Sequence, residues 1–200
     1  MTLRNILQIM GRPRWAINTL VQGKPQFATM KKYMPKGLNM KQLNMYMNQT
    51  FSGRLNEEKI KPIRDKWKGK LVIKGIASEE DTEMAIRLGI DGLIISNHGG
   101  RQLDAGESTI HSLIAIQKNY KNKIKLMIDS GIRSGPDVAR ALASGAEFVF
   151  MGRSFMYGVS ALGDAGGEHT IGMIKTQLIQ VMEQICCEKT TDLHKHLISK

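Results

Sequence analysis

The chain has 200 residues, of which 42% are hydrophobic and 24% charged, enough for one domain with its own core. No apolar run approaches the roughly 20 residues needed to cross a bilayer, and the start MTLRNILQIMGRPRW has no apolar core followed by a cleavage site, so neither a membrane span nor a secretory signal is expected. The charge is lopsided: residues 1–70 carry 15 Lys+Arg against 3 Asp+Glu, and residues 71–200 carry 14 against 15.

From the N-terminus, RNILQIM (4–10) and KQLNMYMNQT (41–50) read as helices, and the glycine- and proline-bearing stretch 23–37 between them as a loop. Such a basic leader suits an anionic lipid surface, an acidic protein or plain solvent. Its aromatic residues form no stacking platform, so nucleic acid is not an expected partner. NEEKIKPIRDKW (56–67) predicts a helix leading into a first strand, KLVIKG (70–75). SEEDTEMAIRLG (78–89) predicts a helix capped by Ser78 and stopped by Gly89. GLIISN (92–97) is the second strand and ESTIHSLIAIQKNY (107–120) the next helix. KIKLMIDSG (123–131) is the third strand, followed by the helix GPDVARALASG (135–145) with Pro136 in its first turn. EFVFMGR (147–153) is the fourth strand, and HTIGMIKTQLIQVMEQICC (169–187) a longer amphipathic helix. Cys186 and Cys187 are adjacent, a spacing that suits neither a disulfide framework nor a metal site; a reducing, cytoplasmic setting is the default.

The four strand–helix units have continuous apolar strands, the pattern of parallel strands buried on both faces. They predict an α/β fold. A full (β/α)8 barrel needs about 250 residues, so four units with a basic, partly helical leader amount to half of one. An open doubly wound sheet is the alternative, but no G-x-G-x-x-G follows the first strand.

Each strand ends in polar residues, where a barrel presents its active site. They are Lys74, then Ser96, Asn97, His98 and Arg101, then Asp129 and Arg133, then Arg153 after Gly152. DSGIRSG (129–135) and MGRS (151–154) are glycine loops next to arginines. Backbone N–H groups on such loops and arginine guanidinium groups bind phosphate.

VIKGI, SNHGGRQLD, DSGIRSGPDVARALASGA and MGRSFMYG closely resemble the FMN-dependent α-hydroxy acid dehydrogenases and oxidases, which include the L-lactate dehydrogenases and glycolate oxidase. The resemblance is strong over residues 67–200. The leader, residues 1–66, resembles through TLRNILQIMGRPRW the segment after the fourth barrel strand of the bacterial lactate dehydrogenases. Residues 67–200 then correspond to strands five to eight of a TIM barrel. The resemblance implies FMN as cofactor and a small L-2-hydroxy acid, L-lactate first, as substrate. It implies His98 as the base and a substrate contact, and Arg101 as the group that holds the substrate carboxylate. It implies Lys74 and Ser96 at the flavin ring, and Asp129, Ser130, Gly131, Ile132, Arg133, Gly152 and Arg153 along its ribityl and phosphate.

The family has about twice this much sequence. Its first four strands supply further flavin contacts and an aspartate that pairs with the catalytic histidine. The resemblance therefore implies a truncated or split enzyme, completed by a complementary half or by self-association, with an anionic membrane surface as a further partner on the inner face of the membrane. A half barrel that binds FMN or phosphate without catalysis, and a gene remnant with no stable fold, are the alternatives.

Overall fold

A computed structural model of the chain describes residues 2–23, 28–30, 32–50 and 55–198, so that part of the expected 23–37 loop lies outside the described residues. The chain divides into two units, 1–54 and 55–200.

In the first unit, α1 (Leu3–Met10) begins at Thr2, whose hydroxyl accepts the Asn5 amide at 3.3 Å. A second helix, α2 (Pro13–Gln22), goes beyond the sequence reading; its proline sits in the first turn, where the missing N–H has no helical partner to lose. The expected third helix is α3 (Met40–Thr50). Leu3, Ile6, Leu7 and Met10 recur at helical spacing along α1. They and Trp15, Ile17, Leu20 and Val21 of α2 are all at least 43% exposed.

The second unit opens with α4 (Glu57–Lys66). Asn56 caps the Lys59 amide at 3.1 Å, and Glu57 and Glu58 stand at the positive end of the helix dipole. Ile60 is buried in the core. The Arg64 guanidinium bonds the carbonyls of Trp67, Gly69 and Gly89 and pairs with Asp91 at 3.0 Å. These bonds tie α4 to the segments that enter the first two strands. Charge alone groups α4 with the leader, but its packing is with the second unit.

The strands β1 (Val72–Ile76), β2 (Gly92–Ile95), β3 (Lys125–Ile128) and β4 (Phe148–Val149) run parallel and lie side by side in chain order. They are joined through α5 (Glu79–Arg87), α6 (Thr109–Tyr120) and α7 (Gly135–Ala143). A doubly wound sheet reverses its order at a switch point, whereas a barrel never does. The unreversed order is that of a barrel segment, with β1 and β4 at its edges. The expected signals are present: the Ser78 hydroxyl accepts the Asp81 amide at 3.2 Å, and Gly89 turns the chain out of α5 with φ +70°.

The two faces of the sheet differ. Leu93, Ile95, Leu126 and Ile128 are completely buried against Ala85, Leu113, Ile116 and Ala141 of the helices. Side chains alternate across a strand, so the register row Lys74, Ile94, Met127, Phe148 points the other way. On that face Val72 is 42% and Phe148 56% exposed. The helix side is thus a finished core, and the side that would face a barrel axis is open.

The last unit departs from the sequence reading. β4 covers only Phe148–Val149, not the whole of 147–153, and Arg153 is the first residue of a helix, α8 (Arg153–Leu162), that the sequence reading leaves unassigned. The long final helix, α9, spans Gly166–Gln184. α8 and α9 cross where two glycines meet: a Cβ on Gly158 would overlap the Thr170 hydroxyl and the Gly166 carbonyl. A short 3-10 segment, Thr190–His196, packs Leu193 against α7.

Candidate functional site

The sheet ladder runs past the ends of the strands. Ser96 N donates to Ile76 O at 3.3 Å, Asp129 N to Ile95 O at 3.0 Å, and Phe150 N to Ile128 O at 2.8 Å. The polar residues that follow each strand therefore emerge side by side along one rim. At β1 the register slips between Lys74 and Ile76, with Gly75 at φ +99°. A bulge of this kind re-aims a side chain, and its glycine takes a φ other residues avoid.

Lys74 Nζ lies 2.7 Å from Asp129 Oδ2 and 2.7 Å from Ser96 Oγ. Partial burial opposes charge on Asp129. Hydrogen bonds from Lys74, Ser96 and Ser130 outweigh that effect and hold its carboxyl below the usual aspartate range. The three strand ends thus share one charged knot.

Above it the chain makes a tight turn, His98–Gly100, with φ of +57°, +70° and +71°. A histidine at positive φ is uncommon and persists only where its surroundings hold it. Here the holders are identifiable. Ser96 Oγ accepts the His98 amide at 3.1 Å, while Asn97 Oδ1 and Ser130 Oγ each accept the Gly99 amide at 3.0 Å. Arg153 donates to the Gly99 carbonyl at 3.0 Å. His98 and Arg101 are exposed. Among the described residues, no carboxylate pairs with the His98 ring or the Arg101 guanidinium.

The two glycine loops are not equivalent. Asp137 Oδ2 takes the amides of Arg133 and Ser134 at 3.0 and 3.1 Å, and Gln177 Oε1 takes the Gly135 amide at 2.9 Å. The protein itself thus satisfies the start of α7. The start of α8 at Gly152 has no side-chain cap. Its first amides and Arg153 remain the better anion donors. Arg133 bonds the carbonyl of Ile132 at 2.8 Å, and Ser154 donates to the Arg133 carbonyl at 3.2 Å, joining the two loops.

These segments line one cleft of about 570 Å³. It brings together ten of the eleven residues expected from the sequence: Lys74, His98, Arg101, Asp129 to Arg133, Gly152 and Arg153. Ser96 is the eleventh, buried under Lys74 and bonded to it. The cleft also takes in Phe150, Met151, Met156 and Tyr157, which the sequence reading misses. Met156 and Tyr157 lie three and four residues after Arg153, on the same face of a helix. That spacing is visible only once α8 is recognised.

The sequence matches the family model described as FMN-dependent dehydrogenase across residues 1–200. It is 36% identical over 204 residues to an L-lactate dehydrogenase of Bartonella tribocorum, covering 96% of this chain and 53% of that protein. It is 38% identical over 177 residues to an L-lactate dehydrogenase of Alcaligenes faecalis, covering 88% and 47%. A crystal structure described as the monotopic membrane protein (S)-mandelate dehydrogenase superposes with a TM-score of 0.87 at 34% identity, covering 96% of this chain and 51% of that one. A mandelate oxidase superposes at 0.68 and 32%, covering 70% and 42%. The chain spans about half the length of the curated relatives it matches. Among the described residues, no helix is long and apolar enough to cross a membrane.

Proposed function

We propose that this chain, which belongs to the FMN-dependent dehydrogenase family, carries strands five to eight of a (β/α)8 barrel and acts in the oxidation of a small L-2-hydroxy acid, L-lactate first, to the 2-oxo acid. The observation that supports this reading best is the single cleft at the strand ends, where Lys74, His98, Arg101 and Arg153 meet two glycine loops.

The residues suit FMN. A phosphate needs amide donors and a fixed guanidinium, and the uncapped start of α8 with Arg153 offers both. An isoalloxazine ring becomes anionic on reduction, and the Lys74 ammonium at the other strand ends would stabilise that charge. We assign Ser96 to the ring and Asp129, Ser130, Gly131, Ile132, Arg133 and Gly152 to the ribityl and phosphate. Bound FMN supplies the two-electron acceptor.

The protein's part is to bind, orient and deprotonate. Arg101 pairs with the substrate carboxylate, for which its guanidinium has the matching fork. His98 takes the hydroxyl proton, imidazole being the side chain most often used as a general base. His98 lacks a carboxylate partner among the described residues, so completion by a complementary half, or by a second copy of this chain, belongs to the proposal. The same lack favours a second reading, a half barrel that binds flavin without turning over. The exposed apolar stripe of α1 and α2, in a leader rich in Lys and Arg, supports docking on an anionic membrane surface.

The deciding experiment is a visible spectrum of the purified chain with added FMN, before and after anaerobic L-lactate. Bleaching of protein-bound flavin supports turnover by this chain or its oligomer. Flavin bands that persist support the binding remnant. Absence of bound flavin means that the complementary half is required for the cofactor as well.

A further inference from the structure

The Ser130 hydroxyl is committed on both sides. It donates to Asp129 Oδ1 at 2.7 Å and accepts the Gly99 amide at 3.0 Å. The other oxygen of Asp129 pairs with Lys74 at 2.7 Å. A continuous path thus runs from the Lys74 ammonium through Asp129 and Ser130 to the peptide that joins His98 to Gly99.

A serine at this position is conspicuous. Its φ is +73°, a conformation that glycine adopts freely and serine does not, and Gly131 beside it has φ +78°. Backbone geometry alone therefore favours glycine at 130, and the hydroxyl is what serine adds. Thr109 of α6 holds the backbone of this turn, its hydroxyl shared between the carbonyls of Asp129 at 2.9 Å and Ser130 at 3.4 Å.

We propose that Ser130 is a positioning residue for His98, its hydroxyl tying the Gly99 amide to the Asp129–Lys74 pair and so fixing the turn that carries the imidazole. The catalytic consequence rests on the reading of His98 as the base; the tether itself does not.

The test uses the full ligand-free chain and the variants Ser130→Gly and Ser130→Ala, with hydrogen exchange of the Gly99 amide and the NMR resonances of the His98 ring as readouts. Glycine accepts φ +73° without strain, so S130G keeps the backbone. Both variants leave the Gly99 amide with Asn97 Oδ1 as its one remaining acceptor, and are expected to exchange it roughly fivefold faster, the loss of one of its two hydrogen bonds, and to shift the His98 signals. The β2 amides, Leu93 to Ile95, should keep their protection. Unchanged Gly99 exchange and His98 signals in S130G overturn the proposal. So does loosening in S130G but not in folded S130A, because backbone freedom would then be the cause. Should S130A not fold, S130G decides alone.

In the enzyme assembled with its complementary half and saturated with FMN, so that any loss of a Ser130 contact to the cofactor is offset, S130G should lower kcat with little change in KM. If the unsubstituted enzyme reduces no flavin with any 2-hydroxy acid, the functional reading fails while the amide result still judges the tether.

Discussion

Lys74 and Asp129, 55 positions apart in sequence, pair at 2.7 Å across an intervening strand whose Ser96 bonds the same ammonium. The pair joins the first and third strands of the sheet at the level where the cleft begins.

Replacing the lysine should free the carboxylate to titrate. Asp129 is held below its usual 3.8, so its pairing supports the fold above that value and is lost as pH falls further. Lys74→Met should raise the Asp129 pKa, read from its carboxyl carbon resonance, and should remove this acid-side contribution to stability. An unchanged resonance would show that Ser96 and Ser130 alone hold the charge.

Asp91 makes the same argument far from the cleft. Its carboxyl is lowered from 3.8 to about 2 by hydrogen bonds from Lys70, the Leu71 amide and Arg64. The charged form is favoured in the folded state, so stability from this group is complete above about pH 4 and disappears as pH falls toward 2. Asp91→Asn should lower the thermal midpoint at pH 7, and the gap from the parent should narrow below pH 4 in a melting series.

His98→Ala should leave flavin binding intact and slow substrate bleaching of the assembled enzyme by at least about 100-fold, the usual scale for removing a general base. Stopped-flow absorbance measures it, and surviving turnover would remove His98 from the base role.

Arg153→Ala removes a charged donor from the open start of α8 and the bond to the Gly99 carbonyl. FMN should be held roughly ten- to hundredfold more weakly, the scale of a lost charged hydrogen bond, as measured by flavin fluorescence on dilution. Equal retention would put the phosphate elsewhere.

Gly158→Ala places a methyl group against Thr170 and Gly166. Overpacking at such a crossing costs about 1–3 kcal/mol, to be read from denaturant midpoints. No loss would mean that α8 and α9 separate easily.

The barrel units were legible from the sequence because their signals are local. Ser78 and Gly89 bracket α5, Pro136 opens α7, and the strands are uninterrupted apolar runs. α8 was not legible: RSFMYGVSAL follows an apolar strand without a turn residue other than Gly152, and Gly158 interrupts its helical pattern for a reason that lies on α9. Met156 and Tyr157 were missed with it. The cleft residues could be assembled from motif resemblance, but the unequal glycine loops could not. Asp137 is a local signal for it, but the rest of that difference depends on Gln177, which lies 42 residues beyond the amide it occupies.

The level ladder along the rim limits how this site can vary. Ser96 and Asp129 follow strands paired residue for residue, Leu93 with Leu126 and Ile95 with Ile128. Inserting or deleting one residue within β2 or β3 would exchange the two faces of that strand. Such a change would carry its rim residue to the helix side and bring an aliphatic side chain into the cleft. Diversity here is therefore confined to substitution at fixed positions and to loop length beyond the rim, as between Arg101 and Glu107, where added residues leave the register untouched.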